Sequence, residues 1–225
     1  STMWVGSSQG LHRLTETKKI SKAISHPHEV ENLALRNQIT GLDYSTKESV
    51  IWLGTRLGLS RYREQDQWLE SVALKDTSIY SVKEDLDGSI WVGSYDNGLI
   101  HLERDSFRII EQYDMPPVIH MWQENPGELW VASGEGLFWL DARNGELISY
   151  TRQAANSNSI SHNGVTWVHK DGAERYWVGT HGGFDQMTLE NGNPRKARFI
   201  GYTSKEGLSS DAVGAIIDDS RGDLW

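Results

Sequence analysis

An all-β fold, a propeller of five four-stranded blades, is what this sequence predicts, and three observations point there. A tryptophan-centred phrase occurs five times and begins a sixth. The phrases recur at a near-constant interval. Each interval breaks into short strands and glycine turns, with no long, capped 3.6-residue pattern.

The phrases are Met3-Trp4-Val5-Gly6-Ser7, Ile51-Trp52-Leu53-Gly54-Thr55, Ile90-Trp91-Val92-Gly93-Ser94, Leu129-Trp130-Val131-Ala132-Ser133 and Tyr176-Trp177-Val178-Gly179-Thr180, with Leu224-Trp225 opening another. Successive tryptophans are 48, 39, 39, 47 and 48 residues apart. A period of roughly 44 residues is the size of a four-stranded propeller blade.

Each period supplies its strands in order. The first strand carries two apolar columns, one of Val118, Val165 and Val213, the other of Val82, Met121, Val168 and Ile216. A turn follows, as in Asp85-Leu86-Asp87-Gly88 or Asp219-Ser220-Arg221-Gly222. There glycine supplies the positive φ and the acid bonds local backbone. The Trp phrase is the second strand. Its rings are expected to fill the space between sheets, and the glycine two residues on marks close backbone approach. After a second glycine turn come the third strand, such as Leu59–Tyr62 or Leu137–Leu140, and a weaker fourth, such as Phe107–Ile110. The last blade is expected to close the ring by pairing a C-terminal first strand, 212–217, with the strands that begin at Trp4. The alternative is an open arc of a larger, seven-bladed propeller. An arc would leave apolar sheet faces bare. The chain opens inside a repeat phrase, so residues 1–225 read as one propeller domain excised from a longer protein.

Composition narrows the function classes. Of 225 residues, 37% are hydrophobic and 24% charged, which suits a packed core rather than a disordered tail. A net charge of −9 argues against nucleic acid as the main partner. The absence of Cys removes disulfides and thiolate chemistry. No apolar run approaches a membrane span.

The phrase Ile79-Tyr80-Ser81-Val82-Lys83-Glu84-Asp85-Leu86-Asp87-Gly88-Ser89-Ile90-Trp91-Val92-Gly93-Ser94, ending in Gly98-Leu99, resembles the two-component regulator propeller repeat, as does the lead-in Gly207-Leu208-Ser209. The resemblance covers essentially the whole chain. It implies the extracytoplasmic, periplasmic input region of a bacterial membrane-bound receptor. Such a region is soluble, its parent is membrane-anchored and dimeric, and relatives often sense polysaccharide fragments. The family usually builds seven-bladed rings, whereas five periods are present here.

The turn acids recur once per blade, which points to backbone capping rather than to calcium or paired-carboxylate catalysis. Asp43, Glu64, Asp114 and Asp185 lie outside the turns without a recognisable catalytic motif. His26-Pro27-His28 lacks a third ligand for a metal. No Gly-x-Ser-x-Gly elbow is present. No catalytic residue, metal or cofactor is therefore assigned.

Aromatic residues carry the ligand argument. Core and turn columns repeat because every blade needs them, whereas variable columns are free to hold a site. Ten residues before each Trp stand Leu42, Ser81, His120, Trp167 and Ala215; eleven before stand Gly41, Tyr80, Ile119, Thr166 and Gly214. The innermost strand of a propeller faces its channel, so Tyr80, His120 and Trp167 are the first candidates, with Trp122 and His169 beside them. Aromatic faces with a few hydrogen-bonding groups suit sugar rings. A third-strand column of Arg13, Arg61, His101, Trp139 and Gln186 could hold an acidic sugar. Two long connections, 15–36 and 152–163, are positioned to carry recognition. The expectation is a non-catalytic sensor that binds a small ligand, with an oligosaccharide as the candidate class. The alternatives are a glycosidase or lyase on the same scaffold, and a protein-interaction scaffold.

Overall fold

The computed structural model describes residues 3–14, 20–26, 36–45 and 47–225. The chain divides into two compact units, Ser1–Met115 and Pro116–Trp225. Every sheet is antiparallel and follows chain order.

The first unit opens with β1 (Met3–Ser7) and β2 (Gly10–Leu14), here called blade 1. Bridges from Leu11 to Ile24 and from Leu14 to Ile20 continue that sheet. Blade 2 is β3 (Ile39–Ser45), β4 (Val50–Thr55), β5 (Gly58–Arg63) and β6 (Trp68–Ala73). Blade 3 is β7 (Ile79–Glu84), β8 (Ile90–Ser94), β9 (Leu99–Leu102) and β10 (Ile109–Tyr113). The second unit holds blade 4, β11 (Val118–Asn125), β12 (Glu128–Ser133), β13 (Gly136–Asp141) and β14 (Glu146–Tyr150). Blade 5 follows as β15 (Val165–Lys170), β16 (Tyr176–Thr180), β17 (Gly183–Leu189) and β18 (Ala197–Tyr202). Among the described residues no helix is long and apolar enough to cross a membrane.

Tryptophan and glycine set the packing, as the phrases imply. Trp52, Trp91 and Trp130 are fully buried. Removing an indole from water contributes roughly 4–6 kcal/mol before entropy is counted. A Cβ on Gly54 would lie 2.6 Å from Ile79 on the next blade, and one on Gly6 would lie 2.5 Å from Ile39. Glycine is what lets first strands sit directly on the preceding Trp strand. In the second unit Trp130, Trp139, Val165, Val168, Val178 and Met187 share one core.

The turn acids bond backbone, and they also bind the repeat's own tryptophan. Asp171 accepts from the backbone N–H groups of Ala173 and Arg175, both at 2.9 Å, and from the Trp177 indole at 2.8 Å. Asp85 likewise takes the Trp91 indole at 2.7 Å and Asp219 takes that of Trp225 at 3.4 Å. The indole contact is invisible in composition but explains why an acid stands six residues before these tryptophans.

Two sequence expectations need adjustment. The turn of blade 2 is one residue longer, so Gly41, not Leu42, stands opposite the phrase glycine; Leu42 instead continues the apolar column opposite Leu53. The fourth strand of blade 3 begins at Ile109, because Phe107 has a φ of 54° and belongs to the turn. The segment 212–217 is tied to blade 5 through Val213 N–H to the Thr180 carbonyl at 3.0 Å, and its following turn forms through paired backbone bonds of Ile217 and Trp225. Most of the connection 15–36 lies outside the described residues, with Pro27 and His28. His26 is buried, 3.0 Å from Ser60 Oγ and 3.1 Å from Asn37 Oδ1, in a structural position.

Candidate functional site

All four complete first strands skip one residue of register at the same place: between Ile39 and Gly41, Ile79 and Ser81, Val118 and His120, and Val165 and Trp167. Such a bulge re-aims side chains and sharpens twist. The bulged residues are Thr40, Tyr80, Ile119 and Thr166. Both threonines spend their hydroxyls between neighbouring first strands, Thr40 on the Ile79 carbonyl and Thr166 on that of Val213 at 2.6 Å. Beyond the bulge, Gly41, Ser81, His120 and Trp167 face the small residue of each phrase, and Asp43, Lys83, Trp122 and His169 face each Trp.

In the second unit these two columns bring four of the sequence candidates together. The rings of His120 and Trp167 stack at 3.6 Å with 18° between planes. One step along the strands, Trp122 meets the His169 ring edge-on at 5.2 Å. All four side chains are partly exposed. His169 Nε2 lies 2.8 Å from Asp218 Oδ1, and Asp218 Oδ2 accepts the Gly172 N–H at 2.8 Å. That backbone N–H, with His169 beside it, holds the Asp218 carboxyl below the usual carboxylate range. The arrangement is an aromatic surface with imidazole nitrogens and an oriented His–Asp pair.

Tyr80 belongs to the first unit and has its own neighbours. Its hydroxyl accepts from Arg56 Nη1 at 2.8 Å, Arg56 lies 5.3 Å over its ring, and Tyr95 packs at 5.7 Å. Asp218, Arg56 and Tyr95 were not selected by the repeat alignment. The signal for Asp218 was its place nearly one period after His169.

Two of the acids weighed as glycosidase candidates, Asp43 and Asp185, are engaged elsewhere. Asp43 accepts from Lys83 Nζ at 3.0 Å and from the Glu84 N–H at 2.8 Å. Asp185 is fully buried and accepts from the Ser161 N–H and hydroxyl. Among the described residues no three His, Asp or Glu side chains are placed to hold a metal ion. In the third-strand column, Arg61 pairs with Glu70 at 2.8 Å and His101 stacks on Trp91 at 3.8 Å, so both serve the blade.

No family model matches the chain. Histidine kinase P4 of Formosa agariphila is 26% identical over 200 residues, covering 81% of this chain and 14% of that protein. The extracellular domain of the hybrid two component system BT3049 from B. thetaiotaomicron superimposes with a TM-score of 0.77 at 17% identity, over 99% of this chain and 30% of that one. Virginiamycin B lyase from Staphylococcus aureus superimposes with a TM-score of 0.71 at 13% identity, over 100% of this chain and 73% of that one. The chain thus spans a minor part of the sensor proteins it matches. Blade topology and these neighbours agree that the chain has a β-propeller fold.

Proposed function

We propose that this chain is a non-catalytic input module of a bacterial signal-transduction receptor, and that His120, Trp122, Trp167 and His169 form its ligand surface. The observation that carries the reading is the stacked and edge-on aromatic cluster on the two columns that vary between blades. Aromatic faces cover the apolar face of a sugar ring, and imidazoles exchange hydrogen bonds with hydroxyls. A saccharide is therefore the proposed ligand class. Tyr80, with Arg56 and Tyr95, is a separate ligand position on the first unit. In this reading the parent receptor is membrane-anchored and dimeric and the module lies in the periplasm. The kinase relative and the extracellular domain of BT3049 support its place as a receptor module outside the cytoplasm. The test is calorimetric titration with a panel of oligosaccharides. A ligand should bind, and Trp167→Ala should weaken it by ten-fold or more. Unchanged binding in both Trp167→Ala and His120→Ala would sink this site.

A second reading has its own observation. Asp218 orients His169 as a carboxylate orients a general base, and a lyase is among the structural neighbours. It requires that a bound saccharide be cleaved on incubation and that His169→Ala stop cleavage. Recovery of the intact saccharide would leave the binding module.

A further inference from the structure

We propose that the groove between blades 4 and 5 is a second binding site, built for a neutral saccharide unit. The groove is a cavity of about 640 Å³, within the size range of small-molecule sites. Its walls include Trp130, Trp139, Tyr176, Lys170, Glu124 and Glu128.

The groove between blades 2 and 3 shows what ordinarily fills this place. There Trp52 is covered by Phe107, edge-on at 6.1 Å, and by Arg104 at 5.6 Å. Arg104 is pinned by Glu48 and Glu84, both at 2.7 Å, and the Trp52 indole donates to Glu84 at 2.8 Å. Register identifies the blade 5 counterparts. Glu84 is paired with Ile90 and Lys170 with Tyr176, so Lys170 stands where Glu84 does. Leu102 is paired with Ile90 and Met187 with Tyr176, so Leu189, two residues on, stands where Arg104 does. The plug has been replaced, and the acceptor for the indole has become a donor.

Trp130 is consequently left in an unusual state. Trp52, Trp91, Trp177 and Trp225 each donate to a carboxylate. Glu124 holds the turn position that serves Trp91 and Trp177, but its oxygens are taken by Lys170 Nζ at 2.8 Å and the Tyr176 hydroxyl at 2.6 Å. Trp130, only 1% exposed, therefore has no carboxylate acceptor among the described residues, and it lines the cavity.

The chemistry of the walls selects the occupant. Lys170 and the Trp130 N–H donate; Glu124 and Glu128 accept; Trp139 and Tyr176 supply aromatic surface. An anion would face the carboxylates of Glu124, Glu128 and Glu174, and a cation would face Lys170 and Arg175. A hydroxyl both donates and accepts, so a neutral polyhydroxylated ring satisfies both walls and lays its C–H face on the aromatics. This inference does not rest on the sensor reading, because the groove can hold a saccharide whatever the first-strand surface does.

The test follows the ten tryptophan indole N–H resonances of the labelled protein, with that of Trp130 assigned by Trp130→Phe. Cellotriose, xylotriose, mannotriose and maltotriose are titrated singly, with trigalacturonate and spermidine as charged probes. At least one neutral trisaccharide should shift the Trp130 resonance. Gln186→Trp, which fills the groove, should abolish the shift, and Lys170→Met should weaken the response about ten-fold. Trp167→Ala should leave it unchanged, so failure of the first-strand site reads separately. A Trp130 resonance unmoved by every neutral probe, moved more by a charged one, or still moving in a folded Gln186→Trp protein overturns the proposal; if that variant does not fold, an unweakened response in Lys170→Met does so.

Discussion

Two buried aspartates in blade 5 have opposite electrostatics, and each makes a residue-scale prediction. Burial pushes the Asp171 carboxyl up, but hydrogen bonds from the Trp177 indole and from the Arg175 and Ala173 N–H groups outweigh it and hold the group below its ordinary value of 3.8. Its contribution to stability is present above that value and lost as pH falls through the lowered folded value. Asp171→Ala strands the indole and two backbone donors and should cost about 2–3 kcal/mol at neutral pH, measured by urea unfolding. Asp185 goes the other way. Burial raises its pKa and the two Ser161 hydrogen bonds do not cancel that, while Oδ1 has no partner. The native state then binds the extra proton, so stability is full below 3.8 and falls as pH rises towards the raised folded value. Asp185→Asn should raise Tm at pH 7, by ~2–4 °C per kcal/mol for a chain of this size, and the gain should vanish in acid. A Tm gain that persists at pH 3 would mean that charge is not the cause.

At the scale of the element, the blade is a first strand seated on a glycine. Gly54→Ala places a methyl carbon 2.6 Å from Ile79, whose strand is held by the rest of blade 3. Overpacking of this kind costs roughly 1–3 kcal/mol. The matched control is Gly134→Ala, which meets nothing within 4 Å and should leave the urea midpoint nearly unchanged. Equal losses in the two variants would contradict the close-approach account. Blades were legible in the sequence because each repeats the same local demands: an apolar pair of columns, an Asp–Gly turn, a Trp and a small residue. The bulge was not legible, because register skips depend on how two strands meet; the longer turn of blade 2 was not legible either, and that is why Leu42 was placed in the column that Gly41 occupies. Of the candidate residues, His120, Trp122, Trp167 and His169 come together because adjacent first strands bring their columns side by side. The groove at Trp130 escaped notice because its signal is a substitution between blades, Lys170 for Glu84, that only the paired register reveals.

For the whole molecule, the expectation of a closed five-bladed ring yields a measurable consequence. Closure needs the segment after Val213 to supply the first strand for the sheet of Met3–Ser7 and Gly10–Leu14. Val213 and Ile216 provide the apolar columns that such a strand requires, and the turn through Asp219 and Gly222 already has its backbone bonds. A closed ring offers no bare apolar sheet face, whereas an arc presents two and hides them by association. Light scattering on the eluting protein should therefore give the mass of one copy, unchanged over a hundred-fold range of concentration. On the expectation of a closed ring, removal of residues 212–225 should produce concentration-dependent association, because the ring would lose the strand it needs for closure. A full-length chain that already associates at low micromolar concentration would establish the arc, and a truncated chain that stays monomeric would show that these residues do not close the ring.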